Sequence, residues 1–125
     1  AMPSTDPSAA RPDLDALRDR LRTFVDERDW DQFHAPKSLA MSVLIEAGEL
    51  AEHFQWLRTG EPSELAPGQT VKIGEELADV LLYVIRLADK LDIDLPAAAV
   101  RKLAINAEKY PVEKAKGRSE KYDRL

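Results

Sequence analysis

The segment TVKIGEELADVLLYVIRLADKL, residues 70–91, does most to limit how this chain can fold. Its apolar residues fall at Val71, Ile73, Leu77, Val80, Leu81, Val84, Leu87, Ala88 and Leu91, with no proline among them. Spacings of three and four gather these residues on one side of a helix, whereas a half-buried strand would alternate at every second residue. Three further segments carry the same signal. Residues 13–28 place Leu14, Leu17, Leu21, Phe24 and Val25 at helical spacing. A second helix follows Pro36, which suits a helix N-terminus, and is expected to run to about residue 60. The loop TGEPSELAPGQ then holds two Pro and two Gly and forces a break. Asp94 can cap a fourth helix that tolerates Pro96 in its first turn and runs to about residue 109, with Pro111 beyond it. No segment alternates with period two over a useful length. The expected class is all-α, a four-helix bundle.

The bulk properties narrow the partners. A chain of 125 residues is expected to form one domain. Its net charge is −5 and its basic residues form no block, which argues against a nucleic-acid polymer as partner. With no cysteine, disulfides, thiolate-ligated zinc and iron–sulfur centres are excluded. No apolar run approaches the roughly 18 residues that a membrane span needs, so no membrane partner is expected. The N-terminal AMPSTDPSAARP has no apolar signal core and reads as a disordered leader over residues 1–12, with Ala1 ahead of Met2 as a cloning remnant. Residues 13–110 are read as the folded domain and 111–125 as a polar, irregular tail. The expected compartment is the cytoplasm.

Glu46, Glu49 and Glu52 recur at three-residue intervals in IEAGELAEHFQW, yet no basic residue lies between Lys37 and Arg58. A surface helix usually answers its acids with Lys or Arg one turn away. At about 100° per residue, Val43, Ala47, Leu50, Phe54 and Leu57 form one stripe, and Glu46 and Glu49 lie on its flank about 60° apart. Ile45 and Trp56 share that sector, so it is not a plain solvated face. On the third helix Glu76 and Asp79 take the same offset from the stripe Ile73, Leu77, Val80, Val84, Leu87 and Leu91. A shift of 30 residues carries Val43 onto Ile73, Glu46 onto Glu76 and Glu49 onto Asp79. If the two helices pack antiparallel through their stripes, both acidic pairs border one groove. Carboxylates so close repel and raise one another's pKa, and a divalent cation relieves this. Oxygen donors without cysteine favour Mg²⁺, Mn²⁺ or Ca²⁺ over zinc. The competing reading is that the acids only solubilise the bundle. A di-iron carboxylate site needs Glu-x-x-His repeats from two helices; His53 has Leu50 three positions before it and His34 lies in a connection, so that site is excluded.

These residues carry a resemblance. EAGE at residues 46–49, followed by EELAD at 75–79, resembles the Glu-x-x-Glu … Glu-x-x-Asp signature of all-α MazG-like nucleoside triphosphate pyrophosphohydrolases. RDWDQFHAPKSLA, ELAEHFQW, DVLLYV, DLPAAAVRKLAINAEKYPV and the closing KY are similar to the dCTP pyrophosphatase branch, over about residues 21–125. Ala35, Ala47 and the middle loop depart from that pattern. The resemblance implies hydrolysis of dCTP, or a 5-modified dCTP, to the monophosphate and pyrophosphate, as house-cleaning of the nucleotide pool. It implies that Glu46, Glu49, Glu76 and Asp79 form a catalytic Mg²⁺ site in which Mn²⁺ can substitute. Glu52 and Glu75 remain rivals for the frame of the motif, and the 30-residue echo favours the first choice.

Other residues have a bland reading and a functional one. Lys102, Asn106 and Lys109 form one polar stripe on the fourth helix: a solvated face, or, as the resemblance favours, a phosphate and sugar grip. Tyr83, one turn beyond Asp79, is either an edge of the core or a substrate contact. Trp30, His34 and Trp56 can line a base pocket, since aromatic rings stack on bases; without the resemblance Trp30 would simply close the core, where Phe33 is placed. Tyr110 is read as packing. Met41, Ile45 and Trp56 on the second helix and Leu82 and Ile85 on the third fall outside the stripes, and uncovered apolar residues mark interfaces. The chain is therefore expected to be a homo-oligomer, and the resemblance suggests a tetramer built as a dimer of dimers. The rivals are a relative acting on another triphosphate, such as dUTP or an oxidised purine, and a non-enzymatic helical interaction module.

Overall fold

The computed structural model describes residues 11–125, so the expected leader lies almost wholly outside the described residues. Among those described, every regular element is helical. The long helices are α1 (Leu14–Glu27), α2 (Pro36–Glu52), α3 (Gln69–Lys90) and α4 (Leu95–Lys109), followed by a single turn, α5 (Val112–Ala115). They form two compact units, the first ending at Asp92 and the second covering Ile93–Leu125.

In the first unit α3 is the central rod: α2 packs along it and α1 lies against it as well. Asp13 caps α1 by accepting the Ala16 N–H at 2.8 Å. The far end of α1 closes with Asp29 in the left-handed region at φ 53°. The Trp30 N–H reaches back to the Val25 carbonyl and the Asp29 N–H to that of Asp26, a Schellman closure with an Asp where Gly is usual. That closure points Trp30 back onto Phe24, with ring centroids 5.6 Å apart in an edge-to-face pair. Burial is deepest at Val25 of α1, Leu39 of α2, and Ile85 and Ala88 of α3.

Two expectations are corrected here. The single stripe on α3 does not coincide with its buried face: Ile85 is 4 % exposed, whereas Leu77 is 53 % exposed. A helix flanked by two neighbours buries a wider arc than one stripe, and Leu82 shares a cleft with Leu21, Phe24 and Val25 of α1. Helix α2 also stops at Glu52, well short of residue 60. Its i→i−4 ladder gives way to tighter turns, with the His53 N–H on Leu50 and the Phe54 N–H on Ala51. The His53 carbonyl instead accepts from Gln69 Nε2 at 3.3 Å. The chain then bends at Gly60, whose φ of +79° and Phe54 ring 2.7 Å from where a Cβ would stand leave room for no side chain.

Glu64 holds this bend. Its carboxylate accepts from the backbone N–H of Arg58, Thr59 and Gly60 and from the Thr59 hydroxyl. Those bonds hold its pKa below the usual carboxylate range, the Thr59 amide first among them. A depressed folded pKa gives stability that is present above the unfolded value and lost as pH falls through the folded one. We expect the thermal midpoint to drop on acidification below about pH 4.5, and Glu64→Gln to flatten that slope. Parallel melts of the two proteins from pH 3 to 7 measure it; identical slopes would refute it.

In the second unit Asp94 caps α4 by accepting the Ala97 N–H at 3.0 Å, with Pro96 in the first turn. The stretch expected to be irregular carries α5 and a 3-10 turn, Tyr122–Arg124. Tyr110 packs edge-on against Tyr122 with centroids 6.2 Å apart.

Candidate active site

Glu46 and Glu49 leave α2 on the side that meets α3, one turn apart, and Glu76 leaves α3 opposite them. One carboxylate oxygen from each lies within 4.8 Å of the others. Glu46 Oε2 and Glu76 Oε2 are sealed from water and have no hydrogen-bond donor among the described residues. Burial, then the neighbouring Glu49 carboxylate, pushes the Glu46 carboxyl up to about 7, and the same causes raise Glu76. Two orphaned buried acceptors in an all-oxygen cluster suit a hard divalent cation, which would satisfy both and remove the repulsion. Asp79 is not part of the tight triad. Its charge still bears on Glu46 and Glu76, and it also lines an adjoining cleft. Of the two rivals for the frame, Glu52 joins Glu49, His53, Gln69 and Glu76 around an open depression of about 450 Å³, while Glu75 is exposed outside the triad.

The adjoining cleft has a volume of about 250 Å³. Leu21 and Phe24 of α1, Trp30 and His34 of the connection, and Asp79, Leu82 and Tyr83 of α3 are among its lining residues. An apolar hollow with flat rings and a few polar groups is the usual form of a small-ligand site. It brings together Trp30, His34, Tyr83 and Asp79. Trp56 is absent from its walls: it sits in the turns after α2 and is 89 % exposed. Phe33, expected in the core, is 66 % exposed instead, because the 3-10 turn Asp31–Phe33 directs it away from the helices.

Lys102, Asn106 and Lys109 lie on α4 of the second unit. Asn106 is half-buried, Lys102 is exposed, and the Lys109 ammonium stands 4.9 Å from the Tyr122 ring centroid, a cation–π distance.

Sequence reasoning missed Arg86. It lines the cleft, is only 7 % exposed, and donates from Nε to His34 Nδ1 at 3.0 Å. Its guanidinium also pairs with Asp31 and Asp89. Lys90 reinforces Asp31 at 2.9 Å, and Arg22 of α1 forks onto Asp89. The available signal was a lone arginine inside the apolar run YVIRLA, since a charge at such a place is buried only with partners.

Residues 41–125 match the model of the MazG-like family. The chain belongs to that family. dCTP pyrophosphatase 1 of Homo sapiens is 42 % identical over 116 residues, covering 91 % of this chain and 68 % of the relative. The Rattus norvegicus protein of the same name is 41 % identical over the same shares. A crystal structure of a pyrophosphatase from Archaeoglobus fulgidus superposes with a TM-score of 0.73 at 42 % identity, over 78 % of this chain and 92 % of that one. The MazG-like fold and the all-α class inferred from the helical periodicity therefore agree. Among the described residues no helix is long and apolar enough to cross a membrane.

Proposed function

We propose that this chain hydrolyses dCTP, or a 5-modified dCTP, to the monophosphate and pyrophosphate, and so clears nucleotides from the pool in the cytoplasm. The observation that carries the reading is the Glu46, Glu49 and Glu76 cluster, with its two orphaned buried oxygens, next to a ring-lined cleft that shares Asp79. The curated relatives named for dCTP support the choice of nucleotide.

Glu46, Glu49, Glu76 and Asp79 would hold Mg²⁺, with Mn²⁺ able to replace it. When bound, such an ion neutralises phosphate charge and acidifies a bound water. The protein's own share is orientation. Trp30 and Tyr83 give the base flat surfaces at one end of the cleft, while the carboxylates fix the phosphate end. Trp56 would join the base pocket only if it were covered. Lys102, Asn106 and Lys109 supply cationic and amide donors suited to phosphate and sugar oxygens. A carboxylate outside the inner coordination sphere can orient the attacking water.

The test is pyrophosphate release with Mg²⁺ across the common triphosphates. dCTP should be cleaved well ahead of dATP and dGTP, and EDTA should abolish the release. Equal turnover of purines would remove the base-pocket assignment, and preference for dUTP or an oxidised purine would move the substrate while leaving the acids in place. No release from any triphosphate would leave a helical interaction module.

The assembly is proposed as a homotetramer, a dimer of dimers. Met41, Leu44 and Ile45 on α2 and Leu77 and Leu81 on α3 are all exposed, an apolar surface that a lone chain leaves in water. Burying it between copies would also give Trp56 a partner. Light scattering at micromolar concentration should report a multiple of the chain mass; a stable monomer would count against the tetramer.

A further inference from the structure

The buried arginine behind His34 has no part in the proposed hydrolysis, yet it is the most fully buried charged group among the described residues. Arg86 has donors and no acceptor, and it cannot give up its charge at any ordinary pH. The His34 Nδ1 that receives its Nε–H at 3.0 Å must therefore present a lone pair. An imidazole with a bare Nδ1 is neutral and carries its one proton on Nε2. Burial, followed by the Arg86 charge, also lowers the His34 pKa, which favours the same neutral ring.

We propose that Arg86 is a specificity-determining positioning residue: by occupying His34 Nδ1, it makes the imidazole a fixed Nε2–H donor in the wall of the cleft, one that selects cytosine over uracil and thymine. This rests on the reading that the cleft takes a pyrimidine base. The bases differ at ring position 3. Cytosine has an acceptor nitrogen there, flanked by the O2 acceptor, whereas uracil and thymine carry an N–H. A fixed donor bonds the cytosine edge and meets the N–H of the others head-on, leaving two donors unsatisfied where water is excluded. A histidine free to shift its proton would lose this discrimination, because Nε2 could then accept from uracil. Arg86 is itself held by Asp31 on the connection that carries His34, and by Asp89 one turn along α3. The guanidinium thus cannot swing away and release the ring.

The experiment has two readouts on the full chain. Long-range ¹⁵N–¹H spectra of ¹⁵N-histidine protein, with His34 assigned by loss of its signals in His34→Gln, should show the Nε2–H tautomer at pH 7. The ratio of kcat/KM for dCTP to that for dUTP should fall about tenfold in Arg86→Met, the worth of one hydrogen bond. Arg86→Lys keeps a donor for Nδ1 and should retain both tautomer and ratio. A purely structural role would lower the melting temperature of Arg86→Met and leave the ratio unchanged, which would overturn the proposal. Should Arg86→Met fail to fold, the spectrum of the unmodified protein decides: an Nδ1–H or doubly protonated His34 refutes it, and Nε2–H supports it. Cleavage of dCTP with the wrong tautomer would remove this proposal alone. Inertness toward every pyrimidine triphosphate, with the tautomer as expected, would remove the activity reading and the selectivity with it.

Discussion

Glu49→Gln and Asp79→Asn are each expected to cut pyrophosphate release on the order of a hundredfold or more while the helices remain folded. A bound divalent ion is worth several kcal/mol to a phosphoryl-transfer transition state, and each 1.36 kcal/mol is about tenfold in rate. Glu49 is an exposed member of the tight carboxylate triad and Asp79 stands at the junction with the cleft, so neither change cuts into the core. The fold should tolerate both, because each amide removes a negative charge from a cluster in which Glu46 is already pushed up to about 7. In metal-free buffer the variants should melt no lower than the parent. Pyrophosphate release and melting temperature, measured on the same samples with and without Mg²⁺, separate loss of the ion from loss of structure. Full activity of either variant would remove that residue from the metal site.

Leu39→Ala is expected to cost about 2–5 kcal/mol, a large part of the roughly 5–15 kcal/mol that holds a domain together. Leu39 is fully buried on α2. Few apolar side chains of the first unit are sealed so well, so Leu39 carries a large share of its buried apolar contact. Trp56→Ala, though a far larger truncation, removes a side chain that stands in water in the lone chain, so at concentrations too low for copies to assemble it should change stability by no more than about 0.5 kcal/mol. Denaturant titrations of the two variants side by side test the contrast. At micromolar concentration, where the proposed tetramer forms, Trp56→Ala should cost more than it does in the dilute chain; a loss that stays this small at every concentration would leave Trp56 outside the interface.

Helix existence, the capping Asp94, and the meeting of Glu46 and Glu49 with Glu76 were legible because each depends on near neighbours and on a 3.6-residue period. Periodicity ranks the faces of a helix but does not say how many partners it has, so it marks one stripe on α3 where two helices lie against it. The early end of α2 depends on Gln69 reaching His53 and on Glu64 gathering the backbone of residues 58–60. Nothing within α2 itself announces those bonds. The network of Arg86 is hidden from the sequence for the same reason: its partners His34 and Asp31 lie 52 and 55 residues earlier in the chain.

Glu76, Asp79, Tyr83 and Arg86 follow one another along α3 at intervals of three, four and three residues. At about 1.5 Å per residue, the first and last are set roughly 15 Å apart along the axis. α3 therefore acts as a measuring rod, with the acids at one mark and the arginine at another. One residue inserted between Asp79 and Tyr83 would rotate the two marks about 100° apart and part the acids from the cleft. Seven inserted residues would restore the facing but lengthen the rod by about 10 Å. A ligand of different length thus cannot be accommodated by small edits to this helix. Any such change has to be made in the opposite wall, in α1 and the short connection after it, at positions other than Arg22, Asp31 and His34, which tie that wall to Asp89 and Arg86 of the rod.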